Sequence, residues 1–143
     1  MLDINKQKMA YSLQNVRVPI YDTDEDGNIK YITVDGVKIP VDTGEHITGY
    51  SKPVFFYASI NNKLDDALIK EFGVDQSSNY AQIVTDKGAL PLVVGSLIWK
   101  KSAVGYKDIA KTIVDANTAD YTVLGVADEG LTVDLFLLQK NVK

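Results

Sequence analysis

The chain has 143 residues, 45% of them apolar and 24% charged, with a formal net charge of −4 and no cysteine. This is the composition of one ordinary folded domain with room for a core, so wholesale disorder is excluded. The negative balance argues against gripping nucleic acid by phosphate neutralisation, and the lack of cysteine rules out disulfides, thiolate catalysis and zinc–thiolate sites.

No apolar run approaches the length of a membrane span, and the opening MLDINKQKMAYSLQ has no signal-peptide core, so a soluble cytoplasmic product is the expectation. Residues 1–15 are polar and mixed and are expected to form an arm or a short, poorly anchored helix. That leaves residues 16–143 as a single β-barrel domain. Val16 to Tyr21 alternates like a strand and carries Pro19, which suits an edge. An acidic turn, Asp22 to Asn28, follows. Ile29 to Val34 and Val37 to Val41 then alternate on either side of Asp35-Gly36, the pattern of a type I′ hairpin, and Asp42 to Gly49 reads as another turn region.

Pro53 to Ile60 reads as an apolar strand with Val54, Phe56 and Ala58 on one face. Asn61 to Gly73 has Leu64, Ala67, Leu68 and Phe72 at helical spacing, with Gly73 as a stop. The rest of the chain is organised around Tyr80 to Trp99. There Ala81 to Thr85, and Leu92 to Val94 with Leu97 to Trp99, read as the two arms of a core hairpin. Its turn would be Asp86-Lys87-Gly88, with Pro91 at the start of the second arm. Ser102 to Asn117 is a long loop with an irregular strand at Thr112 to Val114 and a turn at Asp115 to Asn117. Asp120 to Ala127 and Leu131 to Gln139 pair across Asp128-Glu129-Gly130. About seven short strands joined by turns indicate an all-β fold. A small barrel or sandwich with long hairpin loops, and room for one short helix, is expected.

Few residues offer chemistry. Asp22, Asp24, Asp26 and Gly27 reproduce the opening of a calcium loop, with Ile29 at its eighth position, but Thr33 stands where the closing Glu belongs. An incomplete carboxylate set does not wrap the ion, so no metal is expected. His46 is the only histidine and has no Ser or Cys partner at a recognisable elbow. The paired acids Asp65-Asp66 and Asp128-Glu129 are sequence neighbours whose side chains diverge, so neither is a positioned dyad. No glycine-rich phosphate loop is present. Neither catalytic residues nor a cofactor are expected, and the protein reads as non-enzymatic. Eight tyrosines could stack single-stranded bases, but only Lys100-Lys101 clusters basic charge, and interface use is preferred.

The order of several fragments resembles the small head–tail connector (head-closure, or stopper) proteins of long-tailed bacteriophages. These are Lys8-Met9-x-Tyr11-Ser12, Val18-Pro19-Ile20-Tyr21, Gly49-Tyr50-Ser51-x-Pro53-Val54, Phe56-Tyr57-Ala58-x-Ile60, Glu71-Phe72-Gly73-Val74-Asp75 with Tyr80, Thr85-Asp86-Lys87, Leu97-Ile98-Trp99 and Asp120-Tyr121-x-Val123-x-x-Val126-Ala127. Asn61 to Asp66 and Asp128 to Gly130 depart from that pattern. The resemblance implies a small β-barrel that assembles in a ring beneath the portal, joins capsid to tail in the virion and helps retain packaged DNA. Partners implied are further copies of itself, six in all, a portal or adaptor protein, a tail-completion or tail-tube protein, and passing double-stranded DNA. For Asn61 to Phe72 the resemblance implies an extended hairpin, against the helical spacing. Tyr21, Tyr31, Tyr50 and Tyr106 are then the candidate ring-interface residues, and Asn61, Asn62, Lys63, Asp65 and Asp66 the candidate lumen loop. The rival reading is an oligonucleotide- or peptide-binding barrel module.

Overall fold

A computed structural model describes residues 6–74, 79–130 and 132–142. It is 48% strand and 8% helix, as the turn-punctuated sequence leads one to expect. The strands are β1 (Gln7–Ser12), β2 (Val16–Tyr21), β3 (Tyr31–Val34), β4 (Val37–Pro40), β5 (Asp42–Gly49), β6 (Val54–Ala58), β7 (Ile60–Asn61), β8 (Tyr80–Asp86), β9 (Leu97–Trp99), β10 (Tyr121–Ala127) and β11 (Val133–Lys140), with helix α1 (Asp66–Phe72) between β7 and β8. Seven strands form one antiparallel, nearly closed barrel-like sheet in the order β6-β1-β9-β10-β11-β8-β7. Its two end strands, β6 and β7, are separated in sequence only by Ser59. They are two halves of one bent stave, and this continuity draws the sheet into a barrel.

Alternation along each strand sends one set of side chains inward. Met9, Phe56, Ala58, Ile83, Ile98, Val123, Phe136 and Leu138 meet in the interior. A bulge in β10 between Val123 and Gly125 shifts the inward register by one, so that Val126 follows Val123 into the core. Outside, Leu68 and Phe72 of α1, with Leu64 from the turn before it, pack against Leu137 of β11. β11 is therefore apolar on both faces, which explains its unbroken LFLL run. A Cβ on Gly125 would lie 2.4 Å from the Phe72 ring, so glycine there permits the close approach of the helix. A second outer layer packs Trp99, Leu97 and Ala10 beneath Val114 and Ala119. The Trp99 Nε1–H donates to Thr118 Oγ1 at 3.0 Å.

Five expectations change. Asp42 to Gly49 is not a turn region but the eight-residue strand β5, paired with β2. Gln7–Ser12 is not an arm but a central strand, paired with β6 on one side and β9 on the other, and Met9 and Ala10 are each 2% exposed. Residues 1–5 lie outside the described residues. The core hairpin at Tyr80 to Trp99 does not form. β8 pairs with β11 and β7, β9 pairs with β1 and β10, and Leu92 to Val94 is not strand. Asn61 to Gly73 is not an extended hairpin but a short strand followed by a helix, as the apolar spacing indicates. Asp65 accepts the Ala67 N–H at 3.0 Å as N-cap and Gly73 closes the helix at φ 66°. The loop after Trp99 contains only an isolated bridge, Tyr106 to Val114, and a 3-10 turn at Ala116–Thr118. The Asp35-Gly36 and Asp128 to Gly130 hairpins form as expected, while Leu131 itself and Asp75 of the family-like motif lie outside the described residues.

The interior predicts its own test. Phe136 is 1% exposed at the centre of the barrel. Phe136→Ala should lower the unfolding free energy by about 3–5 kcal/mol, since the cavity cost adds to the lost transfer energy. Urea denaturation should show this as a lower midpoint at an unchanged slope.

Candidate functional site

Residues 16–49 leave the barrel as a two-stage arm. At its root, β2 and β5 pair antiparallel from Val16↔Gly49 to Tyr21↔Asp42. The root is tied to the barrel by Leu13 and Ser51, where the Leu13 N–H donates to Ser51 Oγ and the Ser51 N–H to the Leu13 carbonyl, both at 2.8 Å. Farther out, the β3–β4 hairpin joins this ribbon through backbone bonds from the Asp22 N–H to the Val41 carbonyl and from the Lys30 N–H to the Asp22 carbonyl. The turn at its tip has φ 51° at Asp35 and 81° at Gly36, the doubly positive geometry of type I′.

Register decides what this hairpin presents. Ile32 lies opposite Ile39 and Val34 opposite Val37, so these four share one face, while Tyr31, Thr33, Lys38 and Pro40 share the other. The four aliphatic side chains are 54%, 42%, 46% and 61% exposed in that pairing order. Two strands do not bury a face by themselves, and an isolated hairpin is marginal in water. The aliphatic face has no cover within the described chain.

The arm is also the acidic part of the molecule. Residues 16–49 carry seven Asp or Glu against Arg17 and two Lys, a net of −4 that equals the chain's total, so the remainder is neutral. The calcium-like turn spends its carboxylates locally. Asp24 Oδ1 accepts the N–H groups of Asp26 and Asn28 at 2.9 and 3.0 Å, and Asp22 lies 3.7 Å from Lys30. Among the described residues no three metal-ligating side chains converge. His46 is exposed on β5 opposite Pro19.

Three of the four expected interface tyrosines come together. Tyr21, Tyr50 and Tyr106 are part-buried and line a cavity of about 390 Å³ between the arm's root and the 106–114 loop, with Arg17, Lys52 and Lys111. Tyr31 is apart from them, 54% exposed on the hairpin. The expected lumen loop is instead a connection into α1. Asn61 accepts the Lys63 N–H, Asp65 caps the helix, Asp66 begins it, and Asn62 and Lys63 are exposed.

Residues that the sequence reading passed over make the other notable surface. On β6, Phe55 and Tyr57 point outward and are 66% and 65% exposed, with the Lys8 ammonium 4.7 Å from the Phe55 ring centre. Phe55 borders a groove of about 540 Å³ floored by Ala10, Trp99 and Val104 and flanked by Lys8, Lys52 and Lys100; no acidic residue lines it. The signal was present in PVFFYASI, whose outward positions are as apolar as its inward ones.

Two carboxylates shape these walls. Asp120 accepts the backbone N–H groups of Lys100, Lys101 and Ser102 at 2.8–3.0 Å and turns the chain at the groove's end. In the 106–114 loop, burial pushes the Asp108 carboxyl upward, but hydrogen bonds from the Thr112 hydroxyl and the Ile113 and Thr112 N–H groups outweigh it and hold the group below its ordinary value. Burial, reinforced by the Asp120 charge, raises the Tyr121 phenol. No family model, curated protein or solved structure matches the chain.

A carboxyl whose folded pKa is depressed stabilises above its unfolded pKa, about 3.9, and loses that contribution as pH falls through the folded value. The Thr112 and Ile113 amide resonances should therefore titrate with a midpoint below the ordinary Asp range. Asp108→Asn should abolish the titration and raise hydrogen exchange in the 106–114 loop.

Proposed function

We propose that this protein is a non-enzymatic structural component of a bacteriophage virion, a ring-forming connector between portal or capsid and tail. The observation that carries the reading is the uncovered aliphatic face of the β3–β4 hairpin, borne on a barrel whose own core is complete. A monomer gains nothing from holding Ile32, Val34, Val37 and Ile39 in water, whereas a repeated assembly buries them. The resemblance noted in the sequence supplies the setting: a six-fold ring beneath the portal, a tail-completion or tail-tube neighbour, and double-stranded DNA passing through. An acidic arm suits that setting, because it does not bind the phosphates of DNA in transit.

Electron microscopy of the purified protein, alone and mixed with a bacteriophage portal protein, tests this. Annular particles are expected in at least the mixture. A protein that stays monomeric in both overturns the reading.

One observation favours the rival, an oligonucleotide-binding barrel. The cavity at the arm's root combines three tyrosines with Arg17, Lys52 and Lys111 and no acid, the ingredients of base stacking and phosphate contact. Fluorescence anisotropy with single-stranded DNA separates the two readings. A connector shows no binding at low salt. Binding through these three cations would weaken with a slope of about −2 in log K against log salt, and Tyr106→Ala would weaken it further.

A further inference from the structure

We propose that the β3–β4 hairpin of one copy seats in the lysine-flanked groove of a second copy, between β6 and residues 99–106. The inference rests on the assembly reading above and names the two surfaces that make it. Each surface lacks what the other has. The hairpin offers a four-residue aliphatic face with Asp35 at its tip and Lys38 on the opposite face, at the end of an arm whose residues 16–49 have a net charge of −4. The groove offers an apolar floor of Ala10, Trp99 and Val104, an exposed Phe55 wall, and Lys8, Lys52 and Lys100 with no acidic neighbour in its lining. Apolar burial supplies affinity and the opposite charges set orientation and encounter rate.

The occupant is a second copy rather than the chain's own hairpin because Ile32, Val34, Val37 and Ile39 stand 42–61% exposed in their own chain, where the hairpin is not seated in the groove. A hairpin meeting another copy's groove joins two different patches, so the contact is heterologous and propagates around a ring when the rotation closes. Asp35 at the tip then falls among the lysines while Ile32 and Val37 face Phe55.

The absence of cysteine makes a clean test available. Ile32→Cys and Phe55→Cys proteins, carrying different mass tags, are mixed under mild oxidation, on the portal complex if the protein alone is monomeric. A disulfide between the two variants is expected, with only background when Glu129→Cys, on the exposed β10–β11 turn, replaces either one. In parallel, Ile32→Thr/Ile39→Thr, which keeps a β-branched cross-strand pair, should weaken self-association at least about tenfold while leaving the circular dichroism unchanged. Raised salt should weaken the wild type and have less effect on Lys8→Glu/Lys52→Glu. Rings that form equally well from the Ile32→Thr/Ile39→Thr protein, without the specific disulfide, overturn the hairpin-in-groove contact and leave the connector reading standing. A wild type that never self-associates, alone or on the portal, overturns both.

Discussion

The structure depends on one covalent constraint, the passage of the chain from β6 to β7 through Ser59. Those strands stand at the two ends of the seven-stranded order, yet a single residue separates them. A flat sheet cannot satisfy that, because its ends would lie several strand spacings of about 4.8 Å apart. The sheet must curl until its ends coincide, and the inward faces of β1, β9, β10, β11 and β8 then have only each other to pack against. Met9, Ile83, Ile98 and Phe136 are core residues for this reason rather than because of any local preference. The curl also removes most of the exposed edge that would otherwise invite pairing with other chains.

Closure leaves the outer surface as the place where this protein differs from a bare barrel. One sector is covered by α1 through Leu68 on Leu137, and another by the loop that buries Trp99. The sector at β6 is left open, with Phe55 and Tyr57 outward. The arm grows from the rim beside it. Uncovered apolar surface and segregated charge thus lie in two places, both linked to the same short stretch, Gly49 to Pro53. This concentration, rather than any constellation of ionisable groups, is what points to assembly. Of the acids that looked most like chemistry in the sequence, Asp24 closes its own turn and Asp65 caps a helix.

Much of the molecule is legible from residues alone where the physics is local. The Asp35-Gly36 turn follows from the need for two positive φ angles. The helix over Asp66–Phe72 follows from Leu64, Leu68 and Phe72 at spacings of four, with Asp65 before it and Gly73 after it. That local signal is right where the likeness to a known family suggests a hairpin. The β10–β11 pairing likewise follows from two apolar runs across Asp128 to Gly130. The Tyr80 to Trp99 segment marks the limit of such reasoning. Its two strands are identified by composition, but composition does not say with which strands they pair, and sequence proximity suggests each other.

The residues by themselves therefore determined the all-β class, the strands other than Gln7–Ser12 and Asp42–Gly49, the Asp35-Gly36 turn and the Gly73 helix stop, because each is set by interactions spanning a few neighbours. Only the tertiary structure decided that Gln7–Ser12 is a central stave, that β8 and β9 stand apart, and that Tyr21, Tyr50 and Tyr106 converge while Phe55 and Tyr57 are left bare. Those outcomes turn on which strand edges meet when the barrel closes. Edge pairing is a competition among backbone groups that are chemically alike in every strand, and it is resolved by the packing of the whole interior at once.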